Sequence, residues 1–207
     1  MPRPRTHDEA LRLKLLDRAG ELISADGPKA LSLRKLAADA GTSTTAVYSL
    51  FGSKPDLVNA LYVEGFRRFG ERLNAVARTG DAVADLVRLG VAYRASAQAD
   101  PHLYAIMFTR SVPGFEPNAE ADRLARATLE PLEDTIRRGI ASGQFADVAP
   151  EVIIVSSWGL VHGLVSLELS GNLPPEFSVS GAYEEALRAN ASGWLAAQQT
   201  SGDDLSG

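Results

Sequence analysis

The 207-residue sequence contains no cysteine, which excludes disulfide frameworks, Cys-ligated zinc, iron–sulfur clusters and thiol nucleophiles together and fits a reducing compartment. Histidine is almost as scarce. His7, His102 and His162 are the only three, they form no HExxH pair, and the Gly-x-Gly-x-x-Gly, Walker and Gly-x-Ser-x-Gly loops are all missing. No metal, no cofactor and no enzymatic activity are therefore expected. The N-terminus, Met1 to His7, is basic without an apolar h-region, so it does not read as a secretion signal. The long uncharged run, Val152 to Leu167, has 16 residues, short of the roughly 20 that cross a bilayer. A soluble, cytoplasmic chain with no membrane partner is expected.

Charge of positive sign is in deficit overall, with a net of −5, but it is unevenly placed. Residues 1–54 hold nine Lys/Arg against six Asp/Glu, and residues 55–207 hold twelve against twenty. A basic first quarter on an acidic body suggests a small nucleic-acid-facing module carried by a part that avoids nucleic acid. Hydrophobic residues make up 45% and charged residues 23%, ordinary usage for a chain with a closed core.

Alternation of β-branched and polar residues is nearly absent, whereas apolar residues recur three and four apart along most of the length, which predicts an all-α fold. The first helix is expected from about Asp8 to Ala25, with the stripe Leu11, Leu15, Ala19, Leu22 and Ile23, stopped by Gly27-Pro28. A short helix follows from the N-cap Ser32 to about Asp39, and another from Ser43 or Thr44 to Phe51. A longer one opens at Ser53-Lys54-Pro55-Asp56 and carries Leu57, Leu61, Glu64/Gly65, Phe69 and Leu73 to about Arg78. Beyond it, helices are expected over 81–99, 101–108, 118–142, 150–169 and 181–198, with a loop at Val112 to Pro117 and a frayed tail from Thr200 to Gly207. The expected organisation is a three-helix helix-turn-helix domain over 1–54, joined by a long helix to a helical bundle over 55–207.

Residues 33–52 carry the chemistry. Ala37 is small where two helices approach, Gly41 suits the positive φ of a sharp turn, and Leu33, Leu36, Ala40, Val47 and Leu50 close a small core beneath both helices. Left outward on the second helix are Ser43, Thr44, Thr45, Tyr48 and Ser49, short hydroxyl side chains able to enter a major groove. Arg34 and Lys54 join them as candidate DNA contacts, Lys54 as a clamp on the phosphate backbone. Arg3 and Arg5 lie in an arm suited to minor-groove or phosphate contacts.

At these residues the chain resembles the TetR-type (tetracycline-repressor-like) bacterial transcriptional regulators. The resemblance rests on Leu31-Ser-Leu-Arg-Lys-Leu-Ala, Ala40-Gly41-Thr-Ser and Ala46-Val-Tyr-Ser-Leu-Phe-Gly-Ser-Lys-Pro-Asp-Leu57. It implies an operator-binding role for Ser43, Thr44, Thr45, Tyr48 and Lys54. One departure is Leu50 before Phe51, where many relatives carry histidine. Ser157-Trp158-Gly-Leu-Val-His162-Gly163 resembles the Trp-His-Gly signature of one group of C-terminal regulatory domains.

A small headpiece reads few base pairs, so a homodimer on palindromic half-sites roughly 34 Å apart is expected. The helices at 150–169 and 181–198, the first apolar nearly all round with Gly159 and Gly163 four apart and the second supplying Tyr183, Leu187 and Trp194, are the expected dimer interface. A small apolar or amphipathic effector of unidentified structure is expected among Phe66, Tyr93, Met107, Phe108, Trp158 and His162, the last also readable as a buried structural residue. Its binding would tilt the 55–78 helix and release a repressor from its operator. The alternatives are a helical interaction module that has lost DNA binding, or a regulator that needs no ligand.

Overall fold

The structure, a computed structural model, describes residues 5–108, 112–174, 176 and 178–197. Arg3 and the tail Thr200 to Gly207 lie outside the described residues, as do the side chains of Arg5 and His7. The all-α expectation holds: among the described residues no strand forms, and the β-type pairing is one antiparallel bridge between Phe145 and Leu195. In chain order the helices are α1 (Arg5–Asp26), α2 (Leu33–Ala40), α3 (Thr44–Phe51), α4 (Lys54–Asn74), α5 (Ala82–Ala99), α6 (Pro101–Phe108), α7 (Ala119–Ala127), α8 (Glu130–Ala141), α9 (Pro150–Ser170) and α10 (Val179–Ser192). They divide into two compact units, one holding α1–α4, α6 and α7 with the end of α5, the other holding most of α5 with α8–α10.

In the first unit, Leu15, Leu16, Ala19, Leu22 and Ile23 bury one side of α1 against Leu36 and Ala37 of α2, Val47 of α3, Leu57 and Leu61 of α4, and Leu103 of α6. Apolar burial of this kind is worth about 1.5–3 kcal/mol per large side chain and dominates helix placement. Leu11 and Leu50, expected in this core, are only partly buried. His7 falls inside α1, which begins three residues earlier than the acidic pair Asp8-Glu9 suggests.

The second unit is organised by buried polar anchors as well as apolar contact. Asp85 is buried and accepts hydrogen bonds from the backbone N–H and hydroxyl of Thr79, and it pairs with Arg88 and Arg138. Burial alone would raise its pKa, but these donors hold the carboxyl below its ordinary value of 3.8. The capture of Thr79 explains why the chain from Val76 to Asp81 is not helical: α4 stops at Asn74 rather than near Arg78.

Two further boundaries differ from expectation. The single helix expected over 118–142 is two, broken at Thr128-Leu129. Pro131 has no N–H to give and its ring crowds the carbonyl four residues back, while the Thr128 hydroxyl donates to Ala125 O at 2.7 Å. The last helix spans 179–192, not 181–198: Trp194 O accepts from Ala146 N–H at 2.8 Å and Ala196 N–H donates to Gln144 O at 3.0 Å, so Trp194 belongs to this short pairing and not to α10.

Gly139 on α8 sits where a Cβ would lie 2.3 Å from Phe145 Cδ2 and 2.9 Å from Ala82 Cβ. Phe145 is almost fully buried and cannot retreat into solvent. Gly139→Ala is expected to destabilise by about 1–3 kcal/mol through overpacking, read as a lower urea midpoint with an unchanged slope.

Candidate nucleic-acid interface

The reading head is built from short helices with defined ends. Ser32 Oγ caps α2 by accepting Lys35 N–H at 3.3 Å, and Ser43 Oγ caps α3 by accepting Ala46 N–H at 3.1 Å. Between them Gly41 takes φ +68°, and the turn is closed by Thr42 N–H donating to Ala37 O at 2.9 Å. A non-glycine residue at that φ would carry strain, so the turn angle, and with it the direction of α3, is written into residue 41.

On α3, Val47 and Phe51 face the core, which leaves the opposite side to solvent. Ser43, Thr45, Tyr48 and Ser49 are exposed, Tyr48 at 54%, and Thr44 is half-buried. The structure thus leaves four of the five hydroxyl side chains expected as readers exposed on α3 and its N-cap, Thr44 being the half-buried fifth, with no acidic residue among them. Ser43 has a double position, since its oxygen already serves the cap while its O–H remains a donor. Arg34 is exposed on α2. Lys54 is half-buried, and its Nζ donates to Pro28 O at 2.9 Å.

The six residues expected around an effector fall into two groups, one in each unit. In the first unit the Phe66 and Phe108 rings lie 5.7 Å apart, and Met107 packs over Gly65, whose absent Cβ would meet Sδ at 2.8 Å. Tyr104 lies 4.8 Å from Phe108, and Tyr62 lies 4.8 Å from Phe66 and 5.6 Å from Phe115. Burial, with Asp122 adding to it, pushes the Tyr62 hydroxyl pKa up, so it stays a neutral donor. Tyr62 was absent from the expected set; its place one turn before Phe66 on α4 was the available signal.

In the second unit Tyr93 OH and His162 Nδ1 are 3.1 Å apart, and burial pushes the His162 pKa below its ordinary 6.5, which keeps it neutral at pH 7. Trp158 does not turn inward with them: it is 36% exposed, its ring centre 6.4 Å from His162. The indole lies on the outer side of α9, whose inward stripe is Ile153, Ile154, Ser157, Val161 and Val165. Val152, Val155, Leu167 and Leu169 are exposed as well, so in one chain α9 is buried on one side only. By length and composition alone this 21-residue helix could cross a membrane. Its Ser157 hydroxyl donates to Asn190 of α10 and its Glu168 carboxylate accepts from Arg94 of α5, contacts that hold its inward side against the rest of its unit.

A polar network that sequence reading missed joins α1, α4 and the α5–α6 junction. Glu64 is only 2% exposed, at a position where the apolar stripe of α4 predicts a core residue. Its carboxylate accepts from Arg67 at 2.6 Å and from Arg68 at 2.6 Å, and Arg68 reaches on to Asp17 at 2.9 Å and Asp100 at 3.0 Å. The available signal was the spacing of Glu64 with Arg67 and Arg68, three and four residues on. Among the described residues no group of three or more His, Cys, Asp or Glu is placed to hold a metal ion.

Residues 15–61 match the family model described as Bacterial regulatory proteins, tetR family, and residues 86–190 match that described as Tetracyclin repressor-like, C-terminal domain. The chain belongs to the tetR family. It is 27% identical over 154 residues to the HTH-type transcriptional regulator Rv1816 of Mycobacterium tuberculosis, covering 69% of this chain. The match spans 64% of that protein, under two thirds of the length of the curated relative. Among solved structures, a protein of unknown function from Rhodococcus sp. RHA1 is similar with a TM-score of 0.76 and 26% identity, over 89% of this chain and 95% of that one. The transcriptional regulator FadR of Bacillus subtilis, solved in complex with stearoyl-CoA, shares the fold with a TM-score of 0.74 at 18% identity, over 87% of this chain and 98% of that one.

Proposed function

We propose that this tetR-family chain is a sequence-specific DNA-binding transcriptional repressor that acts as a homodimer in the bacterial cytoplasm and is released from its operator by a small apolar or amphipathic effector. The observation that carries the reading is the sidedness of α3: Val47 and Phe51 hold the core while Thr45, Tyr48 and Ser49 stand in solvent, within the stretch that matches the family's N-terminal model. Residues 1–54 read, with Ser43, Thr44, Thr45, Tyr48, Ser49 and Arg34 toward DNA. Residues 55–207 dimerise and sense.

The exposed apolar side of α9 supports the dimer. Gly159 and Gly163 lie mid-helix, where glycine costs roughly 1 kcal/mol against alanine, yet a Cβ at either would meet nothing within 4 Å. Among the described residues nothing requires that gap, whereas the backbone of a second α9 fits it. The first-unit aromatic cluster supports an apolar effector, in line with a neighbour of the same fold that was solved with an acyl-CoA. Through α4, which carries both Phe66 and the Glu64 network, a shift on binding would reach α1 and the reading head. A coupling of about 1–3 kcal/mol would weaken operator binding by roughly 5- to 150-fold.

Selection of duplexes from a random-sequence pool, followed by sizing of the complex, tests the reading. Enrichment of a palindromic sequence bound by two chains is expected. Failure to enrich any sequence, with the protein folded, would leave a helical interaction module as the better account.

A further inference from the structure

We propose that His102, seated in the gap left by Gly20, is a positioning residue for operator binding: it fixes the spacing of α6 and α1, and through it a displacement of the effector-side rings on α6 reaches the reading head. The inference rests on the DNA-binding reading above and adds to it a route that does not run through the ion pairs of α4.

α6 has only eight residues, and its two sides belong to different clusters. Leu103 and Ile106 are buried in the same core as Leu15, Ala19 and Leu22 of α1. Tyr104 and Phe108 lie with Phe66 and Phe69 among the aromatic rings. A body of about two turns, packed on both sides, moves as a unit because close-packed side chains leave no slack between them. Whatever displaces the rings therefore displaces the side of α6 that faces α1.

Two glycines receive α6. A Cβ on Gly20 of α1 would lie 2.3 Å from His102 Cδ2 and 3.2 Å from its Nε2, and one on Gly65 of α4 would meet Met107 Sδ at 2.8 Å. Both glycines are inside helices, where glycine is a poor choice, and neither takes a positive φ, so it is the missing side chain that each contributes. His102 and Met107 stand five residues apart, which keys the start of α6 into α1 and its end into α4. Because Ala19 and Leu22 of α1 share a core with Leu36 of α2 and Val47 of α3, the spacing at Gly20 bears on the placement of α3.

The chemistry of the key is also unusual. His102 Nε2 is buried with no hydrogen-bond partner. An unpaired buried nitrogen costs stability that an apolar side chain in the same place would not. What holds this end of α6 is instead Asp100, just before it, which pairs with Arg68 at 3.0 Å and Arg72 at 2.5 Å. The imidazole thus supplies a thin, rigid edge to the joint and little binding energy, which suits a contact that opens and closes.

The test uses the full chain and a duplex selected by the wild-type protein from random DNA, titrated well below unfolding, beside thermal melts. Gly20→Ala is expected to weaken binding by roughly 5- to 150-fold, the range of a coupling between sites, because the new methyl wedges α6 off α1. Gly20→Ala with His102→Ala, where the space left by the ring takes the methyl, is expected to recover most of that loss. His102→Ala alone is expected to shift the melting temperature by no more than about 4 °C, lost packing being offset by removal of the unpaired nitrogen. Phe108→Trp, which crowds the ring end of α6 in place of an effector, is expected to weaken binding in the wild-type background and to do so less in His102→Ala, a non-additive cycle. A purely structural role predicts affinities that track melting temperature across the set. Wild-type affinity in Gly20→Ala, a double variant as weak as Gly20→Ala, or an equal effect of Phe108→Trp with and without His102 overturns the assignment. If Gly20→Ala does not fold, the Phe108 and His102 cycle decides alone. Failure of the wild-type chain to enrich any duplex defeats the DNA-binding reading and this assignment with it, a result seen before any variant is made.

Discussion

Glu64→Ala is expected to lower stability by about 3 kcal/mol, the low end of the range for breaking a buried ion pair. The carboxylate is buried at 2% exposure and ties Arg67 and Arg68 of its own helix, and through Arg68 it is linked to Asp17 of α1 and Asp100 before α6. Its removal leaves Arg68, at 19% side-chain exposure, short of a partner, while the more exposed Arg67 recovers water. For a chain of this size that corresponds to a melting temperature lower by roughly 6–12 °C. The pH dependence carries the same signature. Burial alone would raise the Glu64 pKa, but its hydrogen bonds from Arg67 and Arg68 hold it below the ordinary 4.5. A depressed carboxylate pKa contributes stability that is present above 4.5 and is lost as pH falls through the lowered value. Thermal melts from neutral pH into the acid range should therefore converge for wild type and Glu64→Gln as the carboxylate is protonated. A constant offset down to the lowest pH would contradict the assignment.

Thr45→Glu is expected to abolish specific DNA binding, with a loss of about 100-fold or more, because a carboxylate in the exposed first turn of α3 meets the phosphate field without a compensating cation, and like charge at an interface costs several kcal/mol. Thr45 is exposed and the substitution buries nothing, so the melting temperature should change little. The measurement is a binding titration with the selected duplex beside a thermal melt. Loss of both together would mean that α3 had been disrupted rather than its outer flank altered.

The head of the molecule was legible in the sequence because its signals are local. Ser32 and Ser43 cap α2 and α3, Gly41 makes the turn, and the alternation of Val47 with Thr45, Tyr48 and Ser49 sets inside from outside. Each of these acts within four residues, the range over which helix periodicity and capping are decisive. What was not legible depends on partners distant in sequence. The end of α10 is set by pairing of 194–196 with 144–146, and the end of α4 is followed by a segment captured by buried Asp85. Trp158 shows the same limit for a site residue: α9 is apolar on nearly every side, so periodicity could not say which side the chain itself covers.

Amide hydrogen exchange of the full chain, with and without the selected duplex, measures most directly whether the outer flank of α3 is the surface that meets DNA. Slowed exchange concentrated in residues 43–51 and around 29–34, with α10 unchanged, is the predicted result. Binding of the duplex with those segments exchanging as fast as in the free protein would contradict the account.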